Sequence, residues 1–210
     1  MTKITEIIKN NEGLYEGDLK HYYKIIFTAP NVNNPYHNFR HMIHVLYQSY
    51  EAARYCKYDE IFGARKFRAF LIAALFHDFG HSGQMGNDAQ EIATALKGVE
   101  EYILEEDRDL LPLISELITF TEYPYVNTVI PLGSEILRDA DMSQTFSDVW
   151  MQQIVFGLAQ EQNISPVESL KAQVNFLLSI RFHSPWGKEV LARQVGERIR
   201  EIREFVSLLN

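Results

Sequence analysis

Residues Leu71–Gly83 read LIAALFHDFGHSG. Six apolar residues run without a break into His77-Asp78, and His81 follows four positions after His77. Positions i and i+4 share one face of a helix. The spacing therefore predicts His77 and His81 on the same face, at the end of a helix too apolar to stand in water. An imidazole and a carboxylate buried together need a partner, because an unpaired buried charge is costly. A divalent cation is the simplest partner. The plain alternative is a core histidine satisfied by hydrogen bonds, with Asp78 capping a turn.

A second histidine pair lies upstream. The connector APNVNNPY, residues 29–36, is turn-rich, and Asn34-Pro35 reads as an N-cap and first helical position. The helix expected from Tyr36 to about Cys56 carries His37 and His41, again four apart. Two helices that each present such a pair strengthen the metal reading beyond what either gives alone. His44 falls off that face and suits packing or the surface. His21, beside a lysine, reads as a surface histidine.

Helical periodicity recurs along the rest of the chain. Two short helices are expected over 3–28, broken at Gly13, with Asp18 as a cap for the second. A helix from about 60 to 79 follows a polar break at 57–61. Gly80, Gly83 and Gly86 make a loop, and Asn87-Asp88 open the next helix. Glu91, in its first turns, reads either as favourable charge near a helix N-terminus or as a site residue. Further helices are expected at 108–122, 145–161 and 166–182, the last with Ser165 as N-cap and Pro166 at its first position, and a long amphipathic helix closes the chain. Pro124 and Pro131 bracket a loop. Asp139 and Asp141 stand two apart and face different directions, so at most one joins a given metal and the other is a cap or surface charge. No stretch alternates with the period of a strand. The expected fold is all-α: one compact helical domain spanning 1–210 with no evident linker.

Composition narrows the partners. The formal net charge is −8 over 210 residues, which disfavours a nucleic acid polymer or an anionic bilayer. No apolar run approaches the roughly 18 residues of a membrane span. The sequence MTKITEIIKNNEG lacks the apolar centre of a signal peptide. The one cysteine, Cys56, rules out an intrachain disulfide and fits a reducing, cytoplasmic setting. A small phosphate compound remains compatible, since bound cations dominate the field around them.

The chemistry follows from His41, His77, Asp78 and Asp141 taken together. Neutral imidazoles and hard carboxylates suit zinc, manganese, iron or magnesium. Asp78 can bridge two ions about 3.5–4 Å apart, and a water between them loses a proton near neutral pH. The resulting hydroxide is a nucleophile for phosphorus. His37 is placed to protonate a leaving alkoxide, and His81 to orient the water or make an outer hydrogen bond.

Tyr36-His37-Asn38-Phe39-Arg40-His41 resembles the YHNxxH signature of the class I cyclic nucleotide phosphodiesterases, within the HD superfamily of metal-dependent phosphohydrolases. His77-Asp78-Phe79-Gly80-His81-Ser82-Gly83 is similar to their HDxxHxG. Ala140-Asp141-Met142-Ser143 resembles ADLS, which selects Asp141 over Asp139. Gln173-Val174-Asn175-Phe176 looks like QxxF, and His183-Ser184-Pro185-Trp186 is similar to the HPLW-like stretch that follows it. The matches occur in family order over 36–186.

The resemblance implies a phosphodiesterase-type helical fold and opening of cAMP or cGMP to the 5′-nucleotide. It makes His37 the proton donor to the 3′-oxygen and gives a tight, zinc-like ion the ligands His41, His77, Asp78 and Asp141. Asp78 also touches a looser magnesium or manganese. Gln173 hydrogen-bonds the base edge and Phe176 stacks on it, with Tyr36 counted among the substrate-contacting residues. Three departures stand out. The chain is short for the family, Gly80 replaces an acid, and the family's Asn falls at Gly86, with Asn87 one residue late. The family's site glutamate has only Glu91 as a counterpart. Alternatives are an HD phosphohydrolase acting on another nucleotide or phosphoester, a di-iron oxygenase of the HD type, and a non-catalytic nucleotide binder. The C-terminal helix packs internally or against a second copy, which leaves a homodimer open.

Overall fold

A computed structural model describes residues 2–84, 86, 88–125 and 130–209. The helices, in chain order, are α1 (Thr2–Ile8), α2 (Lys20–Phe27), α3 (Phe39–Tyr55), α4 (Tyr58–Phe76), α5 (Asp88–Tyr102), α6 (Leu111–Thr119), α7 (Leu132–Met142), α8 (Ala159–Glu161), α9 (Pro166–Ser179) and α10 (Ala192–Leu208). Tight 3₁₀ turns occupy Glu105–Leu110 and Ser143–Phe146. Wider π-type turns at Met151–Leu158 and Gly187–Leu191 lead into α8 and α10. No strand occurs among the described residues, and no helix there is long and apolar enough to cross a membrane. The all-α expectation holds.

Phe67 to Phe76 explain the arrangement. All ten residues are buried, so the second half of α4 has no solvent face and runs through the middle of the protein. Helices α2, α3, α5, α6 and α7 pack around it. A second, smaller core joins Tyr36, Trp150, Ile154, Val155, Leu170, Leu177, Ile199 and Ile202, where α9 lies against α10.

Arg68 is the one charge in the buried run, and each of its three guanidinium nitrogens donates. Its Nε and Nη2 donate to the two carboxylate oxygens of Asp107 at 2.7 and 2.6 Å. Its Nη1 donates to the carbonyls of Glu16 and Asp18 at 2.7 and 2.8 Å. Tyr22 Oη also donates to Asp107, at 2.5 Å. One ion pair thereby ties the N-terminal segment, α2, α4 and the turn at Glu105–Leu110 together.

Several boundaries differ from expectation for visible reasons. Helix α3 starts at Phe39, not Tyr36. Asn38 is its cap, with extended backbone and a side chain that accepts from Arg40 N at 2.8 Å. Asn34 therefore caps nothing. Helix α4 starts at Tyr58 because Lys57 takes a left-handed turn (φ 55) directly after α3, and a kink at Gly63 falls where continuous helix was expected. It ends at Phe76, not 79. His21 is half-buried, with its Nε2 2.8 Å from the Tyr102 carbonyl oxygen. His44 packs inside, Nε2 3.0 Å from Ser143 Oγ, and burial with the neighbouring His41 pushes it down to about 4. Ser165 caps α9 and Pro166 opens it as expected, and Glu168 completes a capping box with Ser165. Asn87 and residues 126–129 of the loop between Pro124 and Pro131 lie outside the described residues.

Candidate active site

Three elements bring four side chains to one point. Helix α3 supplies His41 from its first turn. The end of α4 supplies His77 and then Asp78. The last turn of α7 supplies Asp141. His41 Nε2 lies 3.1 Å from Asp78 Oδ2 and 3.0 Å from Asp141 Oδ1. His77 Nε2 lies 3.3 Å from Asp78 Oδ2, 3.7 Å from Asp141 Oδ1 and 3.3 Å from His41 Nε2. One ligand atom from each residue fits within 4.8 Å of all the others.

These separations suit a cation. Ligand bonds of ~2.1 Å place tetrahedral neighbours ~3.4 Å apart and octahedral neighbours ~3.0 Å apart. Both imidazoles offer Nε2, because their Nδ1 atoms are engaged elsewhere: His41 with Gln144 Oε1 at 2.6 Å, His77 with the Ala74 carbonyl at 2.9 Å. The two histidines are buried, whereas the Asp141 side chain is 30% exposed. An ion held here would meet the cavity on its carboxylate side. Without an ion, the charges compensate one another. Burial pushes His41 down, but hydrogen bonds and charge from Asp141 and Asp78 outweigh it and carry the ring up to about 9. Burial likewise opposes ionisation of Asp78 and Asp141, yet His77 and His41 hold both carboxyls well below the usual range. A site that stabilises positive charge this strongly is suited to a metal ion.

His37 and His81 come together, though not on helix faces. His37 precedes α3, and His81 follows the turn at Gly80, where φ is +75 and an L side chain would be strained. Their rings stack at 3.8 Å with 16° between planes. Two asparagines of the connector hold the strands of this turn. Asn31 Nδ2 donates to the carbonyls of His37 and Asp78 at 2.8 and 2.9 Å, and its Oδ1 accepts from Gly80 N at 3.0 Å. Asn34 Nδ2 donates to the His81 carbonyl at 2.8 Å. Sequence reading gave Asn31 no role and made Asn34 only a helix cap.

Glu161 was missed as well. Its Oε2 sits 2.6 Å from His37 Nδ1, and its Oε1 accepts from the amides of Tyr36 and His37 at 2.7 and 2.8 Å. The carboxylate side chain is 3% exposed. Burial opposes its ionisation, but the His37 hydrogen bond and charge outweigh it and keep the carboxyl below its ordinary value. Nothing in the sequence near 161 signals this, since its partner lies 124 positions away.

The cluster opens into a cavity of about 430 Å³. Its lining includes His37, His81, Asp78 and Asp141 together with Tyr36, Ile154, Leu158, Gln173 and Phe176. Gln173 Oε1 is buried without a hydrogen-bond partner, an acceptor left for something else. Glu91 also lines the cavity; it accepts from Ser82 N at 3.0 Å and from Ser82 Oγ. Asp139 points elsewhere: it accepts from the amides of His183 and Ser184 at 2.9 and 2.8 Å and caps the turn leading to α10. Burial raises it to about 6, against the hydrogen bonds from Ser184 and His183.

An all-helical scaffold whose His/Asp cluster lines such a cavity and could hold a metal ion suits metal-dependent hydrolysis. Residues 36–102 match the family model described as 3′5′-cyclic nucleotide phosphodiesterase, and over that stretch the chain is similar to that hydrolase family. The match holds YHNxxH and HDxxH and ends before Asp141 and Gln173. No curated protein matches the chain.

Proposed function

We propose that the protein opens a 3′,5′-cyclic nucleotide, cAMP or cGMP, to the 5′-nucleotide, with the whole chain serving as one catalytic domain. The observation that carries this reading is the layout of the cavity. A histidine backed by a buried carboxylate and members of the His/Asp cluster share one cavity with an amide whose buried oxygen has no partner and with an aromatic ring.

Held by His41, His77, Asp78 and Asp141, a divalent ion supplies positive charge for the phosphoryl oxygens and makes water acidic near neutral pH. Zinc fits that ligand set, with magnesium or manganese at Asp78 as the second ion. The chain's own residues do the rest. Water attacks phosphorus and releases one proton to solvent, the P–O3′ bond breaks, and His37 gives its Nε2 proton to the departing oxygen. Glu161, at Nδ1, stabilises the imidazolium that donates it. His81 accepts from Gly83 N at its Nδ1, at 2.9 Å, so its neutral form carries a proton on Nε2. Burial and the His37 charge push His81 down, which suits a neutral ring stacked on a cation. That Nε2–H is available to orient the attacking water. Gln173 offers donor and acceptor to a base edge, and Phe176 offers a face for stacking.

The test is a panel of phosphoesters assayed with Mn, Mg and Zn, with products identified by mass. Turnover of cAMP or cGMP to the 5′-monophosphate is expected, together with loss of most activity but not of metal in His37→Ala. Cleavage of nucleoside monophosphates, with both cyclic nucleotides ignored, would show the assignment to be wrong.

A further inference from the structure

The two metal-facing histidines are oriented by different means. His77 Nδ1 lies 2.9 Å from the carbonyl of Ala74, one turn back on its own helix. That arrangement comes with the backbone. His41 Nδ1 has no such support. It meets a single side-chain atom from another element, Gln144 Oε1, at 2.6 Å. His41 is fully buried and Gln144 is 2% exposed, so water does not substitute for the contact.

We propose that Gln144 is the positioning residue of the metal centre, fixing His41 as the tautomer with its proton on Nδ1 and its lone pair on Nε2. An amide oxygen can only accept. Facing it, Nδ1 must carry the proton, and Nε2 is left to bind the ion. The inference rests on the metal-site reading above.

Its location explains why this residue can do the work. Asp141 and Gln144 are three positions apart across the junction of α7 and the Ser143–Phe146 turn. Asp141 Oδ1 approaches one ring nitrogen of His41 at 3.0 Å, and Gln144 Oε1 holds the other. One short segment thus delivers a ligand and aims a second. Between them Ser143 Oγ meets His44 Nε2 at 3.0 Å, one turn further along α3, which locks the segment to the helix. The acceptor is also uncharged. Asp78 and Asp141 already bring two carboxylates to His41 Nε2, and a third against a fully buried ring would add negative charge that the apo site must neutralise. The amide sets the tautomer without that charge.

The experiment measures zinc affinity directly, by competition with a chromophoric chelator on the stripped full-length protein. Q144L is expected to weaken zinc binding by about 10–100-fold, the usual cost of losing an outer partner of a metal-ligating histidine. Q144E keeps an acceptor at the same atom and is expected to restore affinity to the wild-type level or beyond. A residue with a merely packing role would lower the melting temperature of Q144L without changing its zinc dissociation constant. Should Q144L fail to fold, Q144E against Q144K decides: the lysine offers no acceptor and is expected to lose affinity that the glutamate keeps. Equal zinc affinity in all folded variants overturns this inference alone. A wild-type chain that binds no zinc, manganese or iron overturns the metal site with it.

Discussion

His37 and His81 show how a correct pairing can rest on the wrong geometry. Four-residue spacing suggested that each histidine of a pair shared a helix face with its neighbour. Instead, His77 and His81 are separated by the left-handed turn at Gly80, and His37 stands outside α3. What the spacing detected was a motif, and the convergence comes from Asn31 and Asn34, which bind the two turns together. His77 and Asp78 were legible because they end an apolar helix and His41 because it repeats the four-residue pairing, whereas Asp141 was chosen over Asp139 by resemblance to a family motif. Glu161 was not, since a glutamate near a helix end looks like any solvated charge until the fold places it. Its removal has a defined consequence. In Glu161→Gln the negative charge behind the imidazolium is lost, and one acceptor oxygen becomes an NH2 donor, so acceptance either from His37 Nδ1 or from the Tyr36 and His37 amides goes with it. The expected outcome is a kcat lowered by about 10²-fold with zinc content unchanged. Steady-state kinetics beside metal analysis checks it, and an unaltered kcat would remove Glu161 from the proton relay.

At the scale of elements, α4 was the easiest to read and α5 does more than its sequence suggests. A run apolar on every side announces a central helix, whereas its ends were set by Lys57 and by the HD turn, neither of which follows from periodicity. The π-type turns at Met151–Leu158 and Gly187–Leu191 are likewise invisible to a 3.6-residue pattern, because both stretches carry the same apolar spacing. Helix α5 braces the HD turn through Gly98. A Cβ there would fall 2.2 Å from the ring of Phe79, which sits between Asp78 and Gly80 and stacks on Phe76 at 5.4 Å. Gly98→Ala must therefore push Phe79 away and drag Asp78 with it. A loss of about 1–3 kcal/mol is expected from overpacking, with weakened metal binding. Gly196→Ala on α10 is the opposite case. Nothing lies within 4 Å of the added Cβ, so helix propensity alone predicts a gain of up to about 1 kcal/mol. Urea melts of the two variants should move in opposite directions.

Over the whole molecule, the candidate site lies where the two cores meet: the larger around α4 contributes His41, His77 and Asp78, and the smaller contributes Tyr36 and the wall bearing Gln173 and Phe176. The larger core must stay fixed for the cluster to keep its shape, and Arg68 is its polar anchor. Asp107 is buried, and burial alone would favour its neutral form. Hydrogen bonds from Arg68 and Tyr22, with the charges of Arg68 and Arg65, outweigh that and hold its carboxyl below its ordinary value. A folded-state value below the unfolded one means that the unfolded chain binds the proton first as pH falls. The stabilisation is therefore complete above about pH 4 to 5 and is lost as pH drops through the folded value. Arg68→Met leaves the carboxylate buried with only Arg65, at the edge of the protein, and Tyr22 beside it. The expected cost is about 3–5 kcal/mol at pH 7, the penalty for breaking a buried pair on one side. The double variant Arg68→Met with Asp107→Leu removes both charges and should recover a large part of that loss. It should also flatten the fall in stability between pH 7 and about pH 2 relative to the wild type. Denaturant melts of the three chains at both pH values measure this, and a double variant no more stable than Arg68→Met would mean that the carbonyl contacts to Glu16 and Asp18, not the ion pair, hold the N-terminal segment in place.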